Sequence, residues 1–288
     1  KGDFQLALEY REKANRIFIK EGMQENIAIS CFNIAMIHYH LTNFEKSFEY
    51  LEKSEKICKN YGYDFILAGV YHLSGLYYFK RGEFNKALDY FSLTDKLIGH
   101  LDNNIQNKRN KLWISNTYRM KGDIDRAEKF LLTNPENDST ILALESLTQS
   151  ALVAFDKRQI EDATKYFKQA ELSIEENKNR INLIVANLAI SEFNIYSGKY
   201  QHALNYAKKA YRIGKKSNII LYTQDARQLI SESLYYLNKL NDSKKVINEA
   251  LKYHRKFQSN YELIKDLIIL AKINVKEKNF SSSLRLLF

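Results

Sequence analysis

The sequence predicts an all-α protein, a solenoid of antiparallel helix hairpins. Three observations lead there. Its 288 residues contain one proline and ten glycines, too few breakers for the many turns of a sheet sandwich, while helix-forming Leu, Ala, Lys and Glu are abundant. A short turn signature recurs eight times: a small or polar residue, any residue, an apolar residue, and a small residue three positions further on. Its first positions, 2, 42, 82, 122, 158, 198, 238 and 278, are 40 residues apart except for one step of 36 between 122 and 158. Such self-similarity marks a repeat array.

Taken in order, the signatures are Gly2-Asp3-Phe4 with Ala7, Thr42-Asn43-Phe44 with Ser47, Gly82-Glu83-Phe84 with Ala87, and Gly122-Asp123-Ile124 with Ala127. Arg158-Gln159-Ile160 with Ala163, Gly198-Lys199-Tyr200 with Ala203, Asn238-Lys239-Leu240 with Ser243, and Lys278-Asn279-Phe280 with Ser283 follow. Twelve residues before the small residue stands another small one, at Ala35, Gly75, Ser115, Ala151, Ser191, Ser231 and Ala271. A third lies seven residues after it, at Ala14, Ser54, Thr94, Ala170, Ala210 and Ala250. Two helices approach closely only where side chains are small, so these positions are read as crossing points. Each unit is then helix A, tight turn, helix B, with the first turn position at a helix C-terminus, where a left-handed residue suits glycine. The chain opens inside a repeat and is expected to be a fragment of a longer one.

The short repeat has its own explanation. Thr133-Asn134-Pro135-Glu136-Asn137-Asp138-Ser139 is turn chemistry and carries the only proline, so helix B should stop near Leu132. Asp138 or Ser139 would cap the next helix, which runs through Ala143, Leu147 and Ala151. The expected organisation is an N-terminal lobe over 1–132, a broken joint over 133–138 and a C-terminal lobe over 139–288, with one continuous solenoid as the alternative.

At this register the sequence resembles the tetratricopeptide repeat (TPR) family, whose small, aromatic and small positions surround a Gly-x-aromatic turn. It departs from the family in its 40-residue spacing, where 34 is usual, and in lacking the proline after helix B. Longer helices would absorb the difference, as in the long-repeat arrays of bacterial peptide-responsive regulators. The resemblance implies a right-handed superhelix of about seven to eight repeats, with a concave wall built mainly from helix A. The groove residues it implies are Tyr39, His40, His72, Phe79, Asn116, Arg119, Phe155, Glu192, Tyr196, Gln228, Glu232 and Tyr235. On that assignment the first half of the groove is basic to neutral and the second acidic, with Lys272 and Lys276 of the last repeat blurring the far end. Tyr, Phe and Met would form apolar pockets, while Asn116 and Gln228 would pair with backbone amides of a ligand. The family's Lys/Asn clamp on a C-terminal carboxylate is incomplete, because Leu112 stands one turn before Asn116 where Lys is needed.

Other chemistries find little support. The formal charge of +10 favours acidic partners without identifying one. Lys208, Lys209, Arg212, Lys215 and Lys216 form a basic run, as do Lys108, Arg109 and Lys111, but the first run falls on a helix B without interleaved aromatic platforms and reads as a solvated face rather than a nucleic-acid site. Gly214-Lys215-Lys216-Ser217 lacks the upstream glycine of a phosphate loop. The six histidines, at 38, 40, 72, 100, 202 and 254, show no metal-ligand spacing, and His38 reads as a satisfied core group. Glu192 and Glu232 occupy equivalent positions of adjacent repeats, yet an acid/base pair also needs a closed site. No catalytic residue, metal or cofactor is assigned, and no enzyme activity is expected.

The two cysteines, Cys31 and Cys58, lie in helical patterns, which favours a reducing compartment and the cytoplasm. The most apolar stretch, Phe65 to Phe79, is too short to span a membrane and is interrupted by His72 and Ser74. The expected function is an interaction scaffold that holds a protein or extended peptide along its concave groove. The alternative is a peptide-sensing regulatory domain of a larger bacterial signalling or transcription-regulator protein. The apolar end at Leu284 to Phe288 would permit self-association through the end repeats.

Overall fold

The computed structural model describes residues 4–100, 105–131, 142–257, 259–280 and 282. The described residues form fourteen helices. In order they are α1 (Phe4–Lys20), α2 (Gln24–His40), α3 (Phe44–Tyr61), α4 (Asp64–Lys80), α5 (Phe84–Ile98), α6 (Ile105–Met120) and α7 (Ile124–Lys129). They continue with α8 (Ala143–Asp156), α9 (Ile160–Glu176), α10 (Arg180–Tyr196), α11 (Tyr200–Lys216), α12 (Ile220–Tyr236), α13 (Leu240–Lys256) and α14 (Asn260–Lys276). The even-numbered helices are the A helices, and the arrangement is TPR-like, with about seven repeats packed as sequential hairpins.

The repeat length follows from helix length. Helices α10 to α13 have 17 residues each and are joined by three-residue turns at 197–199, 217–219 and 237–239, so one hairpin and its exit turn occupy the 40-residue spacing of the sequence. The A-to-B turn closes as a Schellman motif: in the second repeat Asn43 N–H donates to the His38 carbonyl at 2.9 Å and Thr42 N–H to that of Tyr39 at 3.0 Å. Its first residue is left-handed in every described case. Glycine supplies it at Gly82, Gly122 and Gly198, whereas Thr42, Arg158, Asn238 and Lys278 adopt φ between 60° and 64° with a side chain attached. In the short repeat α7 has six residues. The turn chemistry around Pro135 and the caps Asp138 and Ser139 lie outside the described residues, as do Gly2, Ser283 and the apolar end Leu284–Phe288.

Two compact units divide the chain, Lys1–Arg158 with α1 to α8 and Gln159–Phe288 with α9 to α14. Within the first, each described helix packs on the next, and α2, α4, α6 and α8 also touch one another in succession. Within the second, α10, α12 and α14 do the same. The A helices are therefore internal. α2, α4, α8, α10 and α12 are apolar or small around much of their circumference and are largely buried, whereas α3, α5, α11 and α13 bury one stripe and expose charges.

The small positions sit where A and B helices cross. Ser47 Oγ donates to the Ala35 carbonyl at 2.8 Å, Ser115 Oγ to Ala127 at 2.7 Å and Ser191 Oγ to Ala203 at 2.9 Å. Ser231 and Ser243 exchange such bonds in both directions. A second crossing lies about two turns further along, where Ser54 Oγ reaches the Ala28 carbonyl at 2.9 Å and Thr94 Oγ1 that of Ala68 at 3.3 Å. Each residue here is small enough to admit the opposing backbone and, when it carries a hydroxyl, spends it on that backbone. Gly214 belongs to the same class: a Cβ there would lie 2.5 Å from Thr223 Oγ1, so it marks close approach of α11 and α12.

Candidate functional site

In the first unit the A helices place several of the anticipated wall residues inside the stack. Tyr39 is 1% exposed and its hydroxyl donates to the Leu76 carbonyl at 3.3 Å, tying α2 to α4. His40 is buried with its ring 5.2 Å from Phe4. His72 is buried, with Nδ1 3.1 Å from Asn110 Oδ1 and its ring 5.4 Å from Phe91. Burial drives the pKa of both His40 and His72 down to about 4, so they are neutral at physiological pH. His38 is also buried, its ring 5.9 Å from Tyr50 and its Nδ1 without a hydrogen-bond partner. The satisfied core group expected at His38 is therefore buried but unsatisfied at Nδ1, and burial lowers its pKa, with Lys46 acting the same way and Glu12 and Glu49 opposing.

Half-buried members complete this wall. Phe79 meets Phe84 at 5.6 Å and Trp113 edge-on at 5.2 Å, bridging α4, α5 and α6. Arg119 on α6 reaches across to Asp156 on α8 with Nη1 3.1 Å from Oδ2, and Arg109 meets Glu145 on the same pair of helices at 3.3 Å. Asn116 and Phe155 are partly exposed beside them. Two ion pairs therefore staple successive A helices in this unit, and their charges largely cancel.

The second unit gathers the others into one cluster. Glu192 and Tyr196 on α10, Glu232 and Tyr235 on α12, and Lys265, Lys272 and Lys276 on α14 share one wall. Lys272 Nζ lies 3.8 Å from Glu232 Oε1, and Lys265 Nζ 3.7 Å from Glu262 Oε2 and 4.6 Å from the Tyr261 ring centroid. Lys276 Nζ stands 5.0 Å from the ring centroid of Tyr235. Burial raises the Glu232 pKa and the neighbouring Glu192 adds to it, with Lys272 and Lys265 pulling the other way. The Tyr196 hydroxyl is pushed up to about 12 by burial and by Glu192 and Glu232, although the residue as a whole is 66% exposed; the open surface decides that its ring faces solvent. Burial works to lower the Lys265 pKa, but Glu262, Glu192 and Asp225 hold it above its ordinary value.

Gln228 plays a different part. Its Nε2 donates to Asp266 Oδ1 at 2.7 Å and to the Glu262 carbonyl at 3.1 Å, and it is 4% exposed. Asp266, fully buried, is 2.6 Å from His254 Nδ1, and His254 Nε2 is 3.9 Å from Asp225. This network joins α12, α13 and α14 through one buried histidine–aspartate pair. Sequence reasoning missed it, because His254 and Asp266 lie on different helices and share no local spacing. The signal was a histidine and an aspartate at positions where the apolar pattern called for core. Gln228 thus spends its amide inside the protein.

Among the described residues no group of three or more His, Cys, Asp and Glu could hold a metal ion, and no helix is long and apolar enough to cross a membrane. Burial raises the pKa of both thiols, Cys31 and Cys58, which are buried and unbridged. The basic run on α11 is exposed at Lys208, Lys209, Arg212, Lys215 and Lys216.

Comparison with known proteins bears on the fold. Residues 28–61, covering most of α2 and all of α3, match the tetratricopeptide repeat family. None of the curated proteins matches the chain significantly. Among solved structures, the apo form of the quorum sensor NprR from B. thuringiensis superposes with a TM-score of 0.62 at 16% identity, over 98% of this chain and 81% of that one. NprR in complex with its cognate peptide NprX gives 0.60 at 15% identity, over 98% of this chain and 87% of that one. Yeast Tom70 gives 0.50 at 15% identity, over 97% of this chain, which spans about half (54%) of the Tom70 chain. At these identities the likeness is one of fold. Residues 28–61 thus match the family's repeat, and the hairpin of α2 and α3 recurs along the described chain with the same turn and the same small crossing positions, which is a TPR-like fold.

Proposed function

We propose that the chain is a protein- or peptide-binding module that takes an extended segment of its partner along a wall of A helices. The coarse statement, an interaction scaffold of TPR type, rests on the family match and the fold. The finer one rests on a single observation: on α10 of the second unit Tyr196 is 66% exposed beside the charged groups of Glu192, Glu232, Lys265 and Lys272. An open aromatic face among fixed charges gives a peptide both apolar contact and directional polar contacts. In the first unit Phe79, Asn116, Arg119 and Phe155 are the partly exposed counterparts, and Tyr39, His40 and His72 are buried within it, as Gln228 is within the second. No bond-making step is invoked.

A titration of a mixed-charge library of short peptides, read by calorimetry, tests this reading. Binding that weakens in Tyr196→Ala supports it. A failure of every peptide, with folded protein partners still captured, would move the function to a broader surface. NprR binds its cognate peptide NprX on the same fold, which favours the second reading, a peptide-sensing regulatory module. Small-angle scattering separates the two: a sensor changes its radius of gyration on binding because its ligand prefers one curvature, and a static scaffold does not.

A further inference from the structure

The wall of the second unit carries opposite charges left over at its two sides. On α14, Lys265 faces Glu262, and Lys272 faces Glu232 of α12. Glu192 on α10 makes no hydrogen bond or ion pair among the described residues, although its field reaches Tyr196, Glu232 and Lys265. Lys276 on α14 is exposed and has no carboxylate at ion-pair distance among the described residues, only the Tyr235 ring beneath it at 5.0 Å. A surplus carboxylate therefore sits at the α10 side and a surplus ammonium at the α14 side, with Tyr196 and Tyr235 between them.

Their separation sets a ruler. Successive A helices are in contact, and packed helix axes lie about 8–10 Å apart, so two steps from α10 to α14 cover about 16–20 Å. Glu192 stands eleven residues before the small position of its repeat, Ala203, and Lys276 seven before Ser283. That difference of four residues in register along helix A adds about 6 Å along the axis. An extended peptide advances about 3.3 Å per residue, so about six residues bridge the two charges. Building on the peptide-binding reading above, we propose that the second unit selects an extended peptide by charge order: a basic side chain at Glu192 and, about six residues away, a carboxylate at Lys276.

The test uses the whole chain and a set of peptides labelled with fluorescein at the N-terminus, each with leucine and alanine between an arginine and a free C-terminal carboxylate. Spacings of about three, six and nine residues are compared with the reversed charge order. Two further arms separate the sources of the carboxylate, one with an amidated C-terminus and one with an amidated C-terminus preceded by glutamate. The expected result is binding about tenfold tighter for the six-residue spacing than for the reversed order, equivalent to about 1.4 kcal/mol. That preference should be lost in Glu192→Gln and in Lys276→Met, and inverted when Glu192→Lys and Lys276→Glu are combined. Both sites lie on partly or fully exposed surface, and circular dichroism checks that the variants remain folded. Equal affinity for both orders, or an unchanged preference in Glu192→Gln, overturns the charge-order inference and leaves peptide binding standing. Absence of binding by every peptide in the set overturns both.

Discussion

Gly75→Ala should destabilise the protein, even though the other repeats carry a side chain at that position. Ala35, Ser115, Ala151, Ser191, Ser231 and Ala271 are its equivalents, and alanine in a helix interior is favoured over glycine by about 1 kcal/mol. At Gly75, however, a Cβ would lie 2.5 Å from Cε1, 2.7 Å from Cδ1 and 3.0 Å from Cζ of Phe91. That ring is fully buried, it packs against His72, and its backbone carbonyl accepts from Asn110 Nδ2 at 2.9 Å, so it has nowhere to move. Overpacking of this kind costs about 1–3 kcal/mol, and the 2.5 Å approach puts Gly75→Ala towards the upper end, so that after the propensity gain a net loss of up to about 2 kcal/mol remains. Urea titrations of the wild type, Gly75→Ala, Phe91→Leu and the double variant measure it. Phe91→Leu alone loses about 1–2 kcal/mol as a partial truncation, and it introduces the leucine that stands at the equivalent Leu51, where Ala35 is accommodated. The double variant should be more stable than the sum of the singles by about 1 kcal/mol, since the two residues share one space. A higher urea midpoint for Gly75→Ala alone would refute the reasoning.

Three further outcomes follow from other parts of the structure. His40 and His72 titrate at about 4 when folded and near 6.5 when unfolded, so as pH falls below 6.5 the unfolded chain binds protons first. Stability is full above that pH and declines through the window down to about 4, by about 3 kcal/mol per histidine; His40→Leu should flatten the decline seen in urea midpoints between pH 7.5 and 4.5. His254→Leu leaves the buried Asp266 with Gln228 but without its histidine and should cost about 3–5 kcal/mol, measured as a fall in thermal midpoint, whereas replacing both residues by leucine costs less. Arg158→Gly removes a side chain from an exposed left-handed position at φ 63° and should raise stability by about 1 kcal/mol, read as a higher urea midpoint.

Much of this architecture was legible because it repeats. A single occurrence of Gly-Lys-Tyr followed by alanine says nothing, but its return every 40 residues fixes the helix boundaries, the turn and the crossing positions together. Even the residues that break the local rule, such as Thr42 and Lys278 at left-handed φ, were placed by register where composition would not have put them. The anticipated wall was legible in a weaker sense. Equivalence across repeats put Glu192, Glu232 and Lys272 in one row, and the structure brings Glu232 within the fields of the other two. Periodicity alone did not separate Tyr196, which is open, from Tyr39, which is 1% exposed at the adjoining register, because which side chain fills a gap depends on the neighbour it meets.

The sequence by itself determined the helical hairpin, its length and its stacking order, since those depend on contacts between residues at fixed separations along the chain. Tertiary structure alone decided which polar groups are spent inside. Gln228 and His254 turn to Asp266, and Arg119 to Asp156, at offsets of 12, 37 and 38 residues that the repeat brings together everywhere, but only at these places do complementary polar groups meet. What remains unspent among the described residues of that wall, Glu192 at one side and Lys276 at the other, is a difference between two sums over neighbours, and such a remainder is fixed only when every neighbour has its place.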